Sequence, residues 1–161
     1  MKIMIVGGAG YIGSHIGLEA INQGYEVTVF DDLSTGFKKN IHPSANFFQG
    51  STLLEKDLVQ VMKNDSFDVV FDTVGLEVSR QQAISVIKPG GTIIHIGLTQ
   101  PSGTFNFRKA TLQEVTFIGT YCYTNKDFEN TIKILTNKDV GDLNWIEYRE
   151  LKNGAEAFKQ I

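Results

Sequence analysis

The sequence predicts an α/β fold, a doubly wound, parallel six-stranded sheet in the order 3-2-1-4-5-6, built as a single domain. Three observations carry this. Short apolar runs rich in β-branched and aromatic residues alternate with segments of helical period. That alternation means βαβ units, whose right-handed crossovers arrange two three-stranded halves side by side. No Pro/Gly/Ser-rich linker, low-complexity tract or repeat divides the 161 residues.

The first strand is "KIMIVG" (2–7), an apolar run ending in glycine. Residues 11–23 then place Ile12, Ile16, Ala20 and Ile21 near a helical period, with Gly24 as the C-cap. "YEVTVF" (25–30) is the second strand, "DDLSTG" a turn, and "ANFFQG" (45–50) the third strand. Residues 52–63 are an amphipathic helix with Leu54, Leu58, Val61 and Met62 on its apolar side. A second series repeats the scheme: strand 67–75, helix 77–87 stopped by "KPGG", and strand 91–97. A loop with Pro101 and Gly103 leads to the sixth strand, 116–123, and a helix covers 125–141, starting near Asn125 or Asp127. The halves are therefore 1–63 and 67–141. The C-terminal segment 142–161 reads as an extended piece and a short helix.

Hydrophobic residues make up 42% and charged residues 20% of the chain, as in ordinary soluble domains. A net charge of −3 suggests no nucleic-acid or anionic-membrane partner. Cys122 is the only cysteine, which excludes an internal disulfide and a cysteine-rich zinc site and fits a reducing, cytoplasmic location. "MKIMIVGG" begins a strand at residue 2 without the long apolar segment and cleavage site of a signal peptide. No apolar run approaches the roughly 18 residues needed to span a bilayer.

The chemistry is concentrated in "IVGGAGYIGSH". Gly8, Gly10 and Gly13 fit G-x-G-x-x-G, and Gly7, Gly10 and Gly13 fit G-x-x-G-x-x-G, between a strand and a helix. This is the Rossmann phosphate turn. Its glycines permit the turn, let backbone approach a diphosphate and let helix pack on strand, while the helix N-terminus supplies free N–H groups. Asp31, with Asp32 beside it, ends the second strand where an acid bonds adenosine ribose hydroxyls. A carboxylate there repels a 2′-phosphate and favours NAD over NADP, an inference softened by the nearby Lys38 and Lys39.

"MKIMIVGGAGYIGSHIGLEAINQGYEVTVFDDLSTG", including Tyr11-Ile12-Gly13-Ser14-His15, resembles the opening of the extended short-chain dehydrogenase/reductases, especially the UDP-galactose 4-epimerases. The likeness covers residues 1–63. It implies that Tyr11 and Ile12 lie over the diphosphate and that Asp31 holds the ribose. Ser51-Thr52 stand where that family has an Asp-(Ile/Leu) pair whose Asp contacts adenine. Residues 67–161 instead resemble the cofactor domain of medium-chain alcohol dehydrogenases and quinone reductases, through "FDVVFDTVG", "QAISVIKPGGTIIHIGL" and "GAEAFKQI". By that likeness Thr73, Val74 and Gly75 border the cofactor. Ile96, Gly97 and Leu98, and Thr120 to Cys122, present backbone to the nicotinamide end. The two resemblances meet near residues 60–67, and an engineered chimera of two half-domains is the reading they suggest, with a natural divergent protein as the alternative.

No catalytic or metal residues are assigned. The medium-chain family's separate catalytic domain has no counterpart in these 161 residues, and His15, His42, His95 and Cys122 have no zinc-ligand spacing. Tyr148 and Lys152 have the Tyr-x-x-x-Lys spacing but lie beyond the sixth strand, outside the matching stretch. His15, His95, Asp72 and Cys122 read as structural groups, and Arg80 and Lys109 as solvated ones. The expected function is an NAD(H)-binding domain without turnover. A minimal oxidoreductase or sugar-nucleotide epimerase, and a folded scaffold that binds nothing, are the alternatives. The sixth strand, 115–123, is an apolar sheet edge and so a possible homodimer seam unless the C-terminal segment covers it.

Overall fold

The structure is a computed structural model that describes residues 1–51, 57, 66–137, 139 and 146–160. The chain forms two compact units, Met1–Tyr121 and Cys122–Ile161. The first holds β1 (Lys2–Val6), α1 (Tyr11–Asn22), β2 (Glu26–Asp31), β3 (Asn46–Gln49), β4 (Phe67–Asp72), α2 (Glu77–Val86), β5 (Ile87–His95), α3 (Phe107–Leu112) and β6 (Thr116–Gly119). The second holds α4 (Asn125–Thr136) and α5 (Gly154–Lys159). The helix expected at 52–63 lies outside the described residues, apart from Asp57.

The sheet order is β3-β2-β1-β4-β5-β6, and each pairing is parallel, as the βαβ alternation predicts. Parallel sheets are covered on both faces, so their central strands are apolar throughout. Here alternate residues of β1 enter two different cores. Met4 and Val6 join Phe30, Val70, Ala83, Ile84 and Ile93, with α2 contributing from one side. Ile3 and Ile5 join Val27, Val29 and Ala20, with α1 contributing from the other. Burying each such side chain stabilises the sheet by about 1.5–3 kcal/mol.

The element ends differ from expectation where backbone chemistry intervenes. "KPGG" does not separate helix from strand, because β5 already starts at Ile87. The register to β4 slips between Phe67 and Val69, and the chain bulges there. Pro89 lacks an N–H, and Gly90 takes φ +74° while donating its N–H to the Gln113 carbonyl at 2.7 Å. The loop expected before β6 contains α3, which Asn106 caps by accepting the Lys109 N–H at 2.9 Å. β6 stops at Gly119 rather than residue 123, and Cys122 has φ +54°. α4 ends at Thr136 rather than near Gly141, and residue 141 is not described.

Candidate functional site

The carboxyl ends of β1 and β4 lie side by side where the strand order reverses. Crevices form at such points because the two connections leave on opposite faces. A cavity of about 410 Å³ opens there. It is lined by the β1–α1 turn (Gly7, Gly10, Tyr11, Ile12, Gly13), the end of β2 and its loop (Phe30, Asp31, Asp32, Ser34, Thr35), Gly50, and the β4 side (Thr73, Val74, Leu76, Thr99).

The glycines of the turn have separate tasks. Gly7 has φ +79°, and a Cβ there would lie 2.7 Å from Thr73 Oγ1. A Cβ on Gly13 would lie 2.5 Å from the Gly7 carbonyl oxygen, so this position fixes helix against turn. Gly8 does not line the cavity; it packs on Val29, where a Cβ would meet Cγ1 at 2.7 Å. Gly10 is the N-cap of α1 with φ −76° and ψ 177°, and its nearest obstruction to a Cβ is 3.3 Å away. A Cβ here would press only on the Gly7 carbonyl oxygen, a far milder obstruction than at Gly7, Gly8 or Gly13, and the Gly10 backbone lies open to the cavity.

The amino end of α1 carries no side-chain cap and no acidic residue in its first turn. The first N–H groups of a helix have no intrahelical partner, and the helix dipole adds partial positive charge. Tyr11, Ile12 and Gly13, which hold these groups, line the cavity. The Tyr11 side chain is 80% exposed at the mouth, its ring edge-on to His15 with centroids 4.8 Å apart.

Asp31 holds the turn from the β2 side. Its Oδ2 accepts the Ala9 N–H at 2.9 Å and its Oδ1 the Leu33 N–H at 2.8 Å. Each carboxylate oxygen has two acceptor sites, so capacity remains toward the cavity. The Asp32 carboxylate accepts from Ser34, hydroxyl and N–H, which holds it below the usual carboxylate range. Among the described residues that line the cavity there is no Lys, Arg or His. Lys38 and Lys39 instead lie over aromatic rings, at 5.7 Å from the Phe47 centroid and 5.5 Å from the Phe37 centroid.

On the β4 side the Thr73 hydroxyl donates to the Val6 carbonyl at 2.6 Å and so locks β4 to β1. Asp72 is fully buried. It accepts the Val74 and Gly75 N–H groups and the Ser79 hydroxyl at 2.9–3.1 Å, and its Oδ2 lies 3.6 Å from His95 Nε2. Its carbonyl receives the N–H groups of Ile96 and Gly97. Gly75, Ile96 and Gly97 thus form a buttress behind the cavity rather than its lining, and Leu98 is 70% exposed. Ser51 also lies outside the lining, where its N–H donates to Asp57 Oδ2 at 3.0 Å. Thr120 donates its N–H to the His95 carbonyl at 3.0 Å. Phe30, Ser34, Thr35, Gly50, Leu76 and Thr99 are lining residues that sequence reasoning missed. Ser34 and Thr35 were visible as polar turn residues after Asp31, whereas Thr99 reaches the crevice only through the crossover.

The sequence profile described as zinc-binding dehydrogenase matches residues 12–137. The chain belongs to the zinc-binding dehydrogenase family. The match runs across residues 60–67, where the two resemblances meet. The chain is also similar to UDP-glucose 4-epimerase of Lactobacillus helveticus, at 39% identity over 70 residues. That alignment covers 44% of this chain and 21% of the epimerase. D-xylulose reductase of Saccharomyces cerevisiae is 28% identical over 167 residues, covering 97% of this chain and 46% of that protein. The chain thus spans less than half the length of either relative. The structure of acetophenone reductase from Geotrichum candidum, solved in complex with NAD, shares the fold with a TM-score of 0.69 at 21% identity. It covers 99% of this chain and 44% of that one.

The family's descriptive name raises the question of a metal. Among the described residues no group of three or more His, Cys, Asp or Glu side chains could hold a metal ion. The described residues do not fit a zinc site. Among the described residues no helix is long and apolar enough to cross a membrane.

Proposed function

We propose that this zinc-binding dehydrogenase family member is a single NAD(H)-binding domain that holds the dinucleotide without itself completing a catalytic site. The carrying observation is the uncapped amino end of α1, open to the switch-point cavity beside Gly10. Diphosphate oxygens there would accept from the Tyr11, Ile12 and Gly13 N–H groups, in a cavity whose described lining residues include no side-chain cation. Asp31 and Asp32 would take the adenosine ribose, with Phe30 and Gly50 beneath it. Thr73, Val74, Leu76 and Thr99 would border the nicotinamide half. Gly8, Ser51, Gly75 and Ile96 to Leu98 would act from behind these residues.

NAD supplies a nicotinamide ring that accepts or returns a hydride. NAD is favoured over NADP because two carboxylates line the β2 side while Lys38 and Lys39 lie over aromatic rings. Among the described residues, the ionisable side chains of the lining are Asp31, Asp32 and Tyr11. The relatives suggest an epimerase or oxidoreductase activity and a parentage in two half-domains, and the exposed Phe117 and Ile118 suggest self-association through β6. Titration with NADH by nicotinamide fluorescence tests the central reading. Saturable binding, weakened severely in Gly10→Val, is the expected result, and a folded sample without saturable binding rejects it.

A further inference from the structure

We infer that Arg80 is a positioning residue for the nicotinamide half of the ligand, acting through the strap at residues 98–104 rather than by touching the ligand. This rests on the proposed function. Arg80 was expected to be solvated, yet it is half-buried, and its guanidinium is spent on three backbone carbonyls. Nη1 donates to Gly75 O at 3.0 Å and to Gln100 O at 3.3 Å, and Nη2 donates to Ser102 O at 2.7 Å. The same Nη1 lies 3.5 Å from His95 Nε2. One rigid fork therefore joins the turn after β4 to the loop after β5.

Arg80 is the side chain that reaches the middle of the strap, at Ser102, while the other ties hold its two ends. Residues 98–104 are all exposed, so no apolar core anchors them. Neutral bonds assist: Thr99 Oγ1 donates to Val74 O at 2.6 Å, and the Gln100 N–H donates to Gly75 O at 3.0 Å. The Glu77 carboxylate accepts both the N–H and the hydroxyl of Thr104, the Glu77 N–H donates to Gln100 Oε1 at 2.8 Å, and Gln81 Nε2 donates to Thr104 Oγ1 at 2.8 Å. Thr99 is the strap residue that lines the cavity, on the β4 side and opposite Asp31. A diphosphate at α1 divides a dinucleotide into two nucleoside halves, one on each side of the switch point. Arg80 thus sets the wall of one half and has no contact with the other.

That asymmetry is testable with NADH and with ADP-ribose, which lacks the nicotinamide. Both are titrated calorimetrically into wild type, Arg80→Lys and Arg80→Ala, with thermal melts recorded alongside. In Arg80→Ala, NADH binding weakens about tenfold, the scale of one charge-assisted hydrogen bond, while ADP-ribose binding stays within about twofold. Arg80→Lys restores part of the NADH affinity, because an ammonium keeps the charge but not the fork. Equal weakening for both ligands, no weakening for either, or loss of the fold in both variants overturns the inference and leaves Arg80 a residue of sheet stability. A folded wild type that binds neither ligand overturns the proposed function itself, a different result from wild-type binding that Arg80 does not influence.

Discussion

Gly75 and Gly97 lie back to back. A Cβ on Gly75 would fall 2.1 Å from the Gly97 carbonyl oxygen, and a Cβ on Gly97 would fall 2.2 Å from the Val74 carbonyl carbon. The obstructing atoms are backbone, tied down by the buried Asp72, so neither side can yield cheaply. Gly97→Ala should therefore destabilise the first unit by about 1–3 kcal/mol through overpacking. Gly75→Ala should cost about 1–2 kcal/mol more, since its φ of +76° disfavours any side chain. Gly90→Ala is the control: φ is +74°, but nothing lies within 4 Å of the added carbon, so only the backbone cost of about 1–2 kcal/mol applies. Urea unfolding of the three variants checks the order.

The glycines of the phosphate turn should separate folding from binding. Gly10→Ala places its methyl 3.3 Å from the nearest atom, in an extended conformation open to any residue, and should change stability by less than about 1 kcal/mol. Its NADH affinity should fall by more than roughly tenfold, because the methyl occupies the approach to the diphosphate. Gly13→Ala collides with the Gly7 backbone at 2.5 Å and should lose stability and binding together. Paired melting and fluorescence titration distinguish the two.

Asp31 should act on both structure and selectivity. Asp31→Ala strands the Ala9 N–H and should cost about 1–3 kcal/mol in stability. Asp31→Asn keeps one acceptor oxygen and so one of the two N–H bonds, should cost less stability than Asp31→Ala, and should narrow the preference for NADH over NADPH. Affinities for both dinucleotides, measured at one ionic strength, check this.

Asp68 gives a pH prediction. Its carboxylate accepts the Lys2 N–H at 2.7 Å and Lys88 Nζ at 2.9 Å, and these bonds hold it below its ordinary value of 3.8. A carboxylate lowered in the folded state contributes stability above its unfolded pKa and loses it as pH falls through the folded one. Stability should thus decline on acidification from near pH 4 downward, and Asp68→Asn should flatten that limb while leaving the other carboxylates' share. Denaturant midpoints across this range decide it.

How much was legible depended on sequence separation. Gly7, Gly10, Gly13 and Asp31 were readable because one strand, one helix and a second strand fix their relation within some thirty residues. The strand order followed from the handedness of the crossovers. Thr99 was not readable, because its place depends on the strap folding back onto Val74. Arg80 was misread as solvated because its partners are carbonyls at 75, 100 and 102, whose convergence no side-chain pattern announces. Lys109, read the same way, donates to Ser85 O at 3.0 Å for a similar reason. The start of β5 at Ile87 was hidden by Pro89 and Gly90, which look like a terminator and form a bulge.

Amide chemical-shift mapping with 15N-labelled protein and NADH tests the central claim most directly. The largest saturable shifts should fall on the Tyr11, Ile12 and Gly13 amides, with smaller ones at Asp32, Val74 and Thr99. Saturable binding that leaves the first turn of α1 unshifted, or no binding by a folded protein, would contradict the account.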